Sequence, residues 1–280
     1  MGWFLASFDF DQAEGLRRML AGPKPRIFTF LSATPQEEKS AMLLNLSASL
    51  ARAGSDVMLV DANLKSRGVA SCFENASIAA TLMEVARQER ALNEIVQTMP
   101  EGFGIAMLTR GTFNSSGQDV KEKRRLDSTF GVLAKQRDIV VVDGELADDD
   151  SFPIAAMGTG EIVVQVTSDA TSIKSAYGII KRLNEHLGRR PFSILVTGAS
   201  DAEAQKVYDN MAQAASRYLA VQLTSMGSVP ADEHMKRAAR LGRAVVDAFP
   251  LAGASVAFRR LAGRFAASDP SPAAGAAGSA

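Results

Sequence analysis

From about residue 26 to residue 264, short apolar runs alternate with stretches of helical period. IFTFL (27–31), VMLV (57–60), GIAML (104–108), DIVVVD (138–143), EIVVQV (161–166), FSILV (192–196) and LTSMGSV (223–229) have strand length. Several are apolar at consecutive positions, as strands covered by helices on both faces must be. Helical patterns near 38–53, 80–98, 121–136, 172–187, 201–219 and 232–241 fill the gaps, and another spans 253–265. This rhythm predicts one α/β domain over 26–267, a doubly wound and mostly parallel sheet flanked by helices. There is no internal repeat.

The two ends break the rhythm. Residues 9–21 read as a short separate helix on an arm, 1–25, joined to the domain by the stiff GPKP linker at 22–25. Asp11 is placed to cap that helix, with Glu14 three residues on, and Leu16, Met19 and Leu20 form its apolar stripe beside Arg17 and Arg18. Such a helix is too short to be stable alone, so it must dock in a partner's groove or fold back on its own domain. The tail SDPSPAAGAAGSA, 268–280, has the composition of disorder.

Composition narrows the function. Lys+Arg and Asp+Glu balance at 31 each, which gives no global attraction to nucleic acid. KEKRR (121–125) and HMKRAAR (234–240) lack interleaved aromatics and read as solvated helix faces. A single cysteine, Cys72, excludes an internal disulfide and suits a reducing compartment. The apolar N-terminus lacks the basic region and cleavage site of a signal peptide, and no run approaches the ~18 apolar residues of a membrane span. The expected location is cytoplasmic. His186 and His234 have no companions at metal-ligand spacing, Tyr177 reads as a helix-face aromatic, and no nucleophile–base set is present.

The turn after the first strand is where an α/β sheet keeps a phosphate. Here it reads Ala33-Thr34-Pro35-Gln36-Glu37-Glu38-Lys39-Ser40, without the glycines that let a backbone curl around phosphate oxygens. Its local chemistry is that of a capped helix, with Thr34 as N-cap, Pro35 at the first helical position and Glu37 completing a capping box. Glu37 and Glu38 then set carboxylates at the positive end of the helix dipole. Lys39 and Ser40 admit two readings, an ordinary first turn or the remnant of a phosphate grip.

Four segments carry a resemblance: DQAEGLRRML (11–20), VMLVDANLKSRGVA (57–70), TSDATSIKSAYGIIKRL (167–183) and GSVPADEHMKRAARLGRAVVDAFP (227–250). Together they resemble, over 9–266, the MinD/ParA family of deviant Walker ATPases, and within it the FlhG/FleN group of flagellar-number regulators. The resemblance implies a P-loop NTPase fold and a site for ATP or ADP with Mg. It puts Lys39 and Ser40 at the phosphate and magnesium positions, and Asp143 at the magnesium-binding strand end. Asp61 and Asn63 fall at switch positions, and Thr197, Pro230 and Asp232 around the adenine. Departures are concentrated at this site. Thr34 replaces the family's signature lysine, Pro35, Gln36 and Glu38 replace glycines, Asn63 replaces a switch carboxylate, and Thr197 replaces an asparagine. They predict a pseudo-ATPase. The alternative is an active switch cycling between a cytoplasmic monomer and a membrane-bound dimer.

In the FlhG/FleN group the N-terminal motif is associated with activating FlhF, a GTPase of the signal-recognition-particle type. Asp11, Gln12, Ala13, Leu16 and Arg17 match that motif, and Gln12 is the residue expected at the partner's catalytic site. The last helix offers a second contact. Phe258, Leu261 and Phe265 share one face, flanked by Arg259, Arg260 and Arg264, so this face either meets the inner surface of the membrane or packs on the domain.

Overall fold

A computed structural model describes residues 24–64, 68–73, 78–111, 113 and 119–267, so the predicted arm helix and the tail lie outside the described residues. Eight strands form one sheet: β1 (Arg26–Ser32), β2 (Val57–Ala62), β3 (Gln97–Thr98), β4 (Gly104–Met107), β5 (Ile139–Gly144), β6 (Glu161–Val166), β7 (Phe192–Thr197) and β8 (Leu223–Val229). Their order is β3-β4-β2-β5-β1-β6-β7-β8, parallel throughout except for the β3–β4 pair. The seven strand segments expected from the apolar runs are all present, each within a residue or two of its expected ends.

Three apolar clusters cover the two faces. On one face Phe28, Phe30, Leu59, Val141 and Leu195 pack against α1 (Gln36–Arg52) and the last helices. Opposite, Met58, Val60, Val140 and Val142 pack under α2 (Leu82–Ala86), α3 (Val120–Ala134) and α4 (Ala155–Thr159). Ile162, Val164, Ile194 and Val196 pack under α5 (Ala170–Leu187) and α6 (Asp201–Leu219). Alternate residues of one strand therefore enter different clusters, which is why the central strands are apolar throughout. Beyond β8 come α7 (Glu233–Arg240), α8 (Val245–Ala248) and α9 (Gly253–Ala267). α4 and α8 are too short to leave a period in the sequence.

One expectation needs correction and one open choice is decided. The helix expected over 80–98 stops after Ala86, because Gln88 takes a left-handed backbone (φ 66). The chain then makes a 3-10 turn at Leu92–Glu94 and pairs Gln97–Thr98 with β4. For the last helix, of the two readings open to it, packing on the domain is the one found, since Phe258, Leu261 and Phe265 are all buried on the sheet. The Phe265 ring sits edge-on to Phe28 at 4.4 Å and stacked near Phe30 at 6.2 Å. Arg260 pairs with Asp201 at 3.0 Å, and Arg264 donates to the Met226 carbonyl at 3.0 Å, so the basic flank also ties the helix down. No described helix is long and apolar enough to cross a membrane.

Candidate functional site

The site lies beyond the carboxyl ends of β1, β2 and β5. Strand parity builds it. Asp61 and Asp143 face each other in register on neighbouring parallel strands, two residues after Leu59 and Val141. Both therefore point to the face covered by α1. Phe30 pairs with Asp143 from the other side, so the turn after β1 delivers the start of α1 onto these two carboxylates.

That turn is held without glycine. The Ala33 amide donates to the Gln165 carbonyl at 2.9 Å, and the Ser172 hydroxyl donates to the Ala33 carbonyl at 3.0 Å. Thr34 is not the N-cap expected from the sequence. Its hydroxyl lies 2.7 Å from that of Ser32, and its amide donates back to Ser32 Oγ at 3.0 Å. Pro35 occupies the cap position with extended backbone (φ −53, ψ 147), no side chain caps the helix, and the box with Glu37 does not form. A proline that must be extended here starts the helix one residue later than the sequence suggests. Glu37 and Glu38 do stand in the first turn.

Lys39 and Ser40 are both 2% exposed. The Lys39 ammonium lies 2.5 Å from Asp143 Oδ1 and donates to the Gly144 carbonyl at 2.6 Å. The other oxygen, Asp143 Oδ2, accepts from the Gln36 amide group at 3.0 Å and from the Val69 amide at 2.8 Å. Gln36 also donates to Ser40 Oγ at 3.2 Å. Asp61 accepts from the Asn63 amide at 3.1 Å and the Ala70 amide at 2.8 Å. Burial first, and the Asp143 charge second, push the Asp61 carboxyl up to about 6 against these hydrogen bonds and Lys39.

Asn63 and Gly144 line an open cleft of about 410 Å³ with Thr34, Gln36, Glu145 and Arg182. Glu145 holds the next loop by accepting from the Leu64 amide at 2.8 Å. The remaining predicted positions lie apart from this network. Thr197 ends β7 and accepts from Gln165 Nε2 at 3.2 Å. Asp232, just past Pro230, caps α7 by accepting from the His234 amide at 2.9 Å, and it also accepts from the Ala254 amide of α9 at 2.9 Å. Its other close partner is the His234 ring at 2.8 Å. Among the described residues no group of His, Cys, Asp or Glu is arranged to hold a metal ion.

Lys39, Ser40 and Asp143 are chemically the set that would grip a magnesium nucleotide, but in this arrangement Lys39 and Asp143 grip each other and Ser40 joins them only through Gln36. The lysine charge is spent on Asp143, both Asp143 oxygens are engaged, and Pro35 removes one amide from the helix entrance. These residues, so placed, do not fit the group. Two members of the network escaped sequence reasoning. Gln36 stood only as a lost glycine, and nothing local says that its amide turns inward. Gly68 sits where a Cβ would fall 1.9 Å from Asp61 Oδ1.

No protein-family profile matches the chain. The antiactivator FleN of Pseudomonas aeruginosa is 30% identical over 225 residues, which is 80% of this chain and 80% of that protein. The cell-division ATPase MinD of Pyrococcus furiosus superposes with a TM-score of 0.64 at 17% identity, over 86% of this chain and 98% of its own. The septum site-determining protein MinD of Pyrococcus horikoshii, solved with Mg-ADP, gives 0.63 at 17% identity over 86% and 96%. The two MinD structures share the fold. By its identity to FleN across most of both chains, this chain belongs to the FlhG/FleN group of the MinD/ParA family.

Proposed function

We propose that this chain is an FlhG-like regulator of flagellar number and placement, and that it acts as a pseudo-ATPase. The observation that carries the second half is Lys39, lodged between Asp143 and Gly144 at the head of a glycine-free turn. A nucleotide would have to draw this lysine off a buried carboxylate and pass Glu37 and Glu38 at the helix entrance. The regulatory half is supported by the likeness to a protein named an antiactivator. The acting segment is the N-terminal motif, with Asp11, Gln12, Ala13, Leu16 and Arg17 docking on an FlhF-type GTPase. Gln12 supplies a side-chain amide to position water or a phosphate oxygen there.

The second reading, an ATP-dependent switch, is favoured by Lys39, Ser40, Asp61 and Asp143 standing together on a fold that binds Mg-ADP in a MinD. Titration calorimetry with ATP or ADP and magnesium separates the two. The pseudo-ATPase gives no binding at millimolar nucleotide and, by linkage, no rise in melting temperature. Micromolar binding lost in Ser40→Ala would overturn it and restore the switch. The regulatory half is read in a GTPase assay. The chain is expected to stimulate an FlhF-type GTPase, and Gln12→Ala is expected to remove most of that stimulation. An unchanged rate in the variant would sink the role given to Gln12.

A further inference from the structure

Charges that balance over the whole chain do not balance locally. From Glu233 to Ala267 there are seven Lys and Arg against two carboxylates. One of the two, Asp247, is taken by Arg52. Among the described residues no carboxylate pairs with Arg237, Arg240, Arg243 or Arg259. The fold brings two of these arginines, Arg237 and Arg259, to one turn. Arg237 lies over the Phe249 ring at 5.0 Å, and Arg259 donates to the Pro250 carbonyl at 2.8 Å, so α7 and the start of α9 meet at that turn. Leu251, on the turn, is 92% exposed, and Leu241, at the end of α7, is 60% exposed. The result is a cationic face with two uncovered leucines, a surface that asks for an acidic and apolar occupant.

Residues 1–16 of this chain have that chemistry. They hold Trp3, Phe4, Leu5, Phe8 and Phe10 with Asp9, Asp11 and Glu14, and contain no Lys or Arg. The chain enters the domain at the far end of α9, where Arg26 donates to the Phe265 carbonyl. α9 has 15 residues and is about 22 Å long at helical rise. Residues 17–25, between the docked segment and Arg26, reach about 30 Å at ~3.3 Å per extended residue, enough to cover that length. A tether of this kind gives an effective concentration on the order of millimolar, so weak contacts suffice. We propose that residues 1–16 dock in cis on the face formed by α7 and the start of α9, and so withhold the DQAEGLR motif until a partner competes for it. The withholding rests on the reading of the motif given above, whereas the docking does not.

Trp3 is the one tryptophan of the chain, so its fluorescence reports this segment alone. In the full chain at low salt, Trp3 emission is expected to be blue-shifted and several-fold shielded from acrylamide, at all protein concentrations. Arg240→Glu with Leu251→Asp, both at exposed positions, should return the emission to that of a water-exposed indole, and high salt should do so in part. A water-exposed Trp3 in the unaltered chain would overturn the proposal. So would shielding that survives the double variant, which would put the segment elsewhere. Shielding that disappears on dilution would assign the face to a second copy and overturn docking in cis. Shielding that behaves as expected, with Gln12→Ala inert in the GTPase assay, would leave the docking standing and remove only the role of the motif.

Discussion

Gly68 has extended backbone, φ −78 and ψ −170, that any residue adopts, so its requirement is one of space. A methyl group there would fall 1.9 Å from Asp61 Oδ1, and the carboxylate cannot retreat while it accepts from Asn63 and Ala70. Gly68→Ala is expected to cost about 1–3 kcal/mol in urea unfolding, the range of an overpacked interior. A loss within error would mean that the loop after Ala62 yields freely. Asp61 itself makes a pH prediction. Its carboxyl is raised from the ordinary 3.8 to about 6, so between these values the folded chain holds a proton that the unfolded chain releases. The stability it contributes is fully present below about 4 and falls as pH rises through about 6. Asp61→Asn lacks this dependence. Its melting temperature relative to the unaltered chain should therefore climb from pH 4.5 to pH 7, and a constant difference across that range would contradict the assignment. These two residues show what a residue type conveys by itself. A carboxylate at a strand end is visible in the sequence, but its pairing with a glycine and a second carboxylate is not.

At the scale of elements, Asp232 serves two helices. It caps α7 through the His234 amide and receives the Ala254 amide from the first turn of α9. Asp232→Ala is expected to cost about 1–2 kcal/mol in urea unfolding, the upper range for a helix cap. Asp232→Asn should recover most of it, and an alanine variant as stable as the parent would argue against the double role. The position matches a family position near the adenine, yet its contacts here are structural ones. α1 teaches the complementary lesson. Its sequence offers a complete set of start signals in Thr34, Pro35 and Glu37, but the Ser32–Thr34 turn and the tether to Ser172 decide where it begins. Capping residues state a preference worth about 1 kcal/mol, which neighbouring strands and loops can override.

At the scale of the molecule, the fold is that of the MinD ATPases, and its centre holds a buried ion pair between Lys39 and Asp143. Two charges removed from water must compensate each other, and Lys39 and Asp143 do so as a pair. On the function proposed above, the working surface lies away from this pair. Among the described residues, the arginine-rich face beside α9 is where exposed Leu241 and Leu251 stand next to arginines without a carboxylate partner.

The sequence by itself determined seven of the eight strands, the longer helices apart from that over 80–98, the sheet's parallel class and the family. These rest on patterns that repeat within a few residues, and on motifs read in order along the chain. Only the tertiary structure decided that Lys39 turns to Asp143, that Asp61 and Asp143 stand side by side, and that Phe258, Leu261 and Phe265 enter the core. A stripe of three apolar residues looks the same whether a sheet or a membrane covers it. Strand order and the inward turn of α1 join residues from distant parts of the chain, and no local period records which distant partner a side chain will meet.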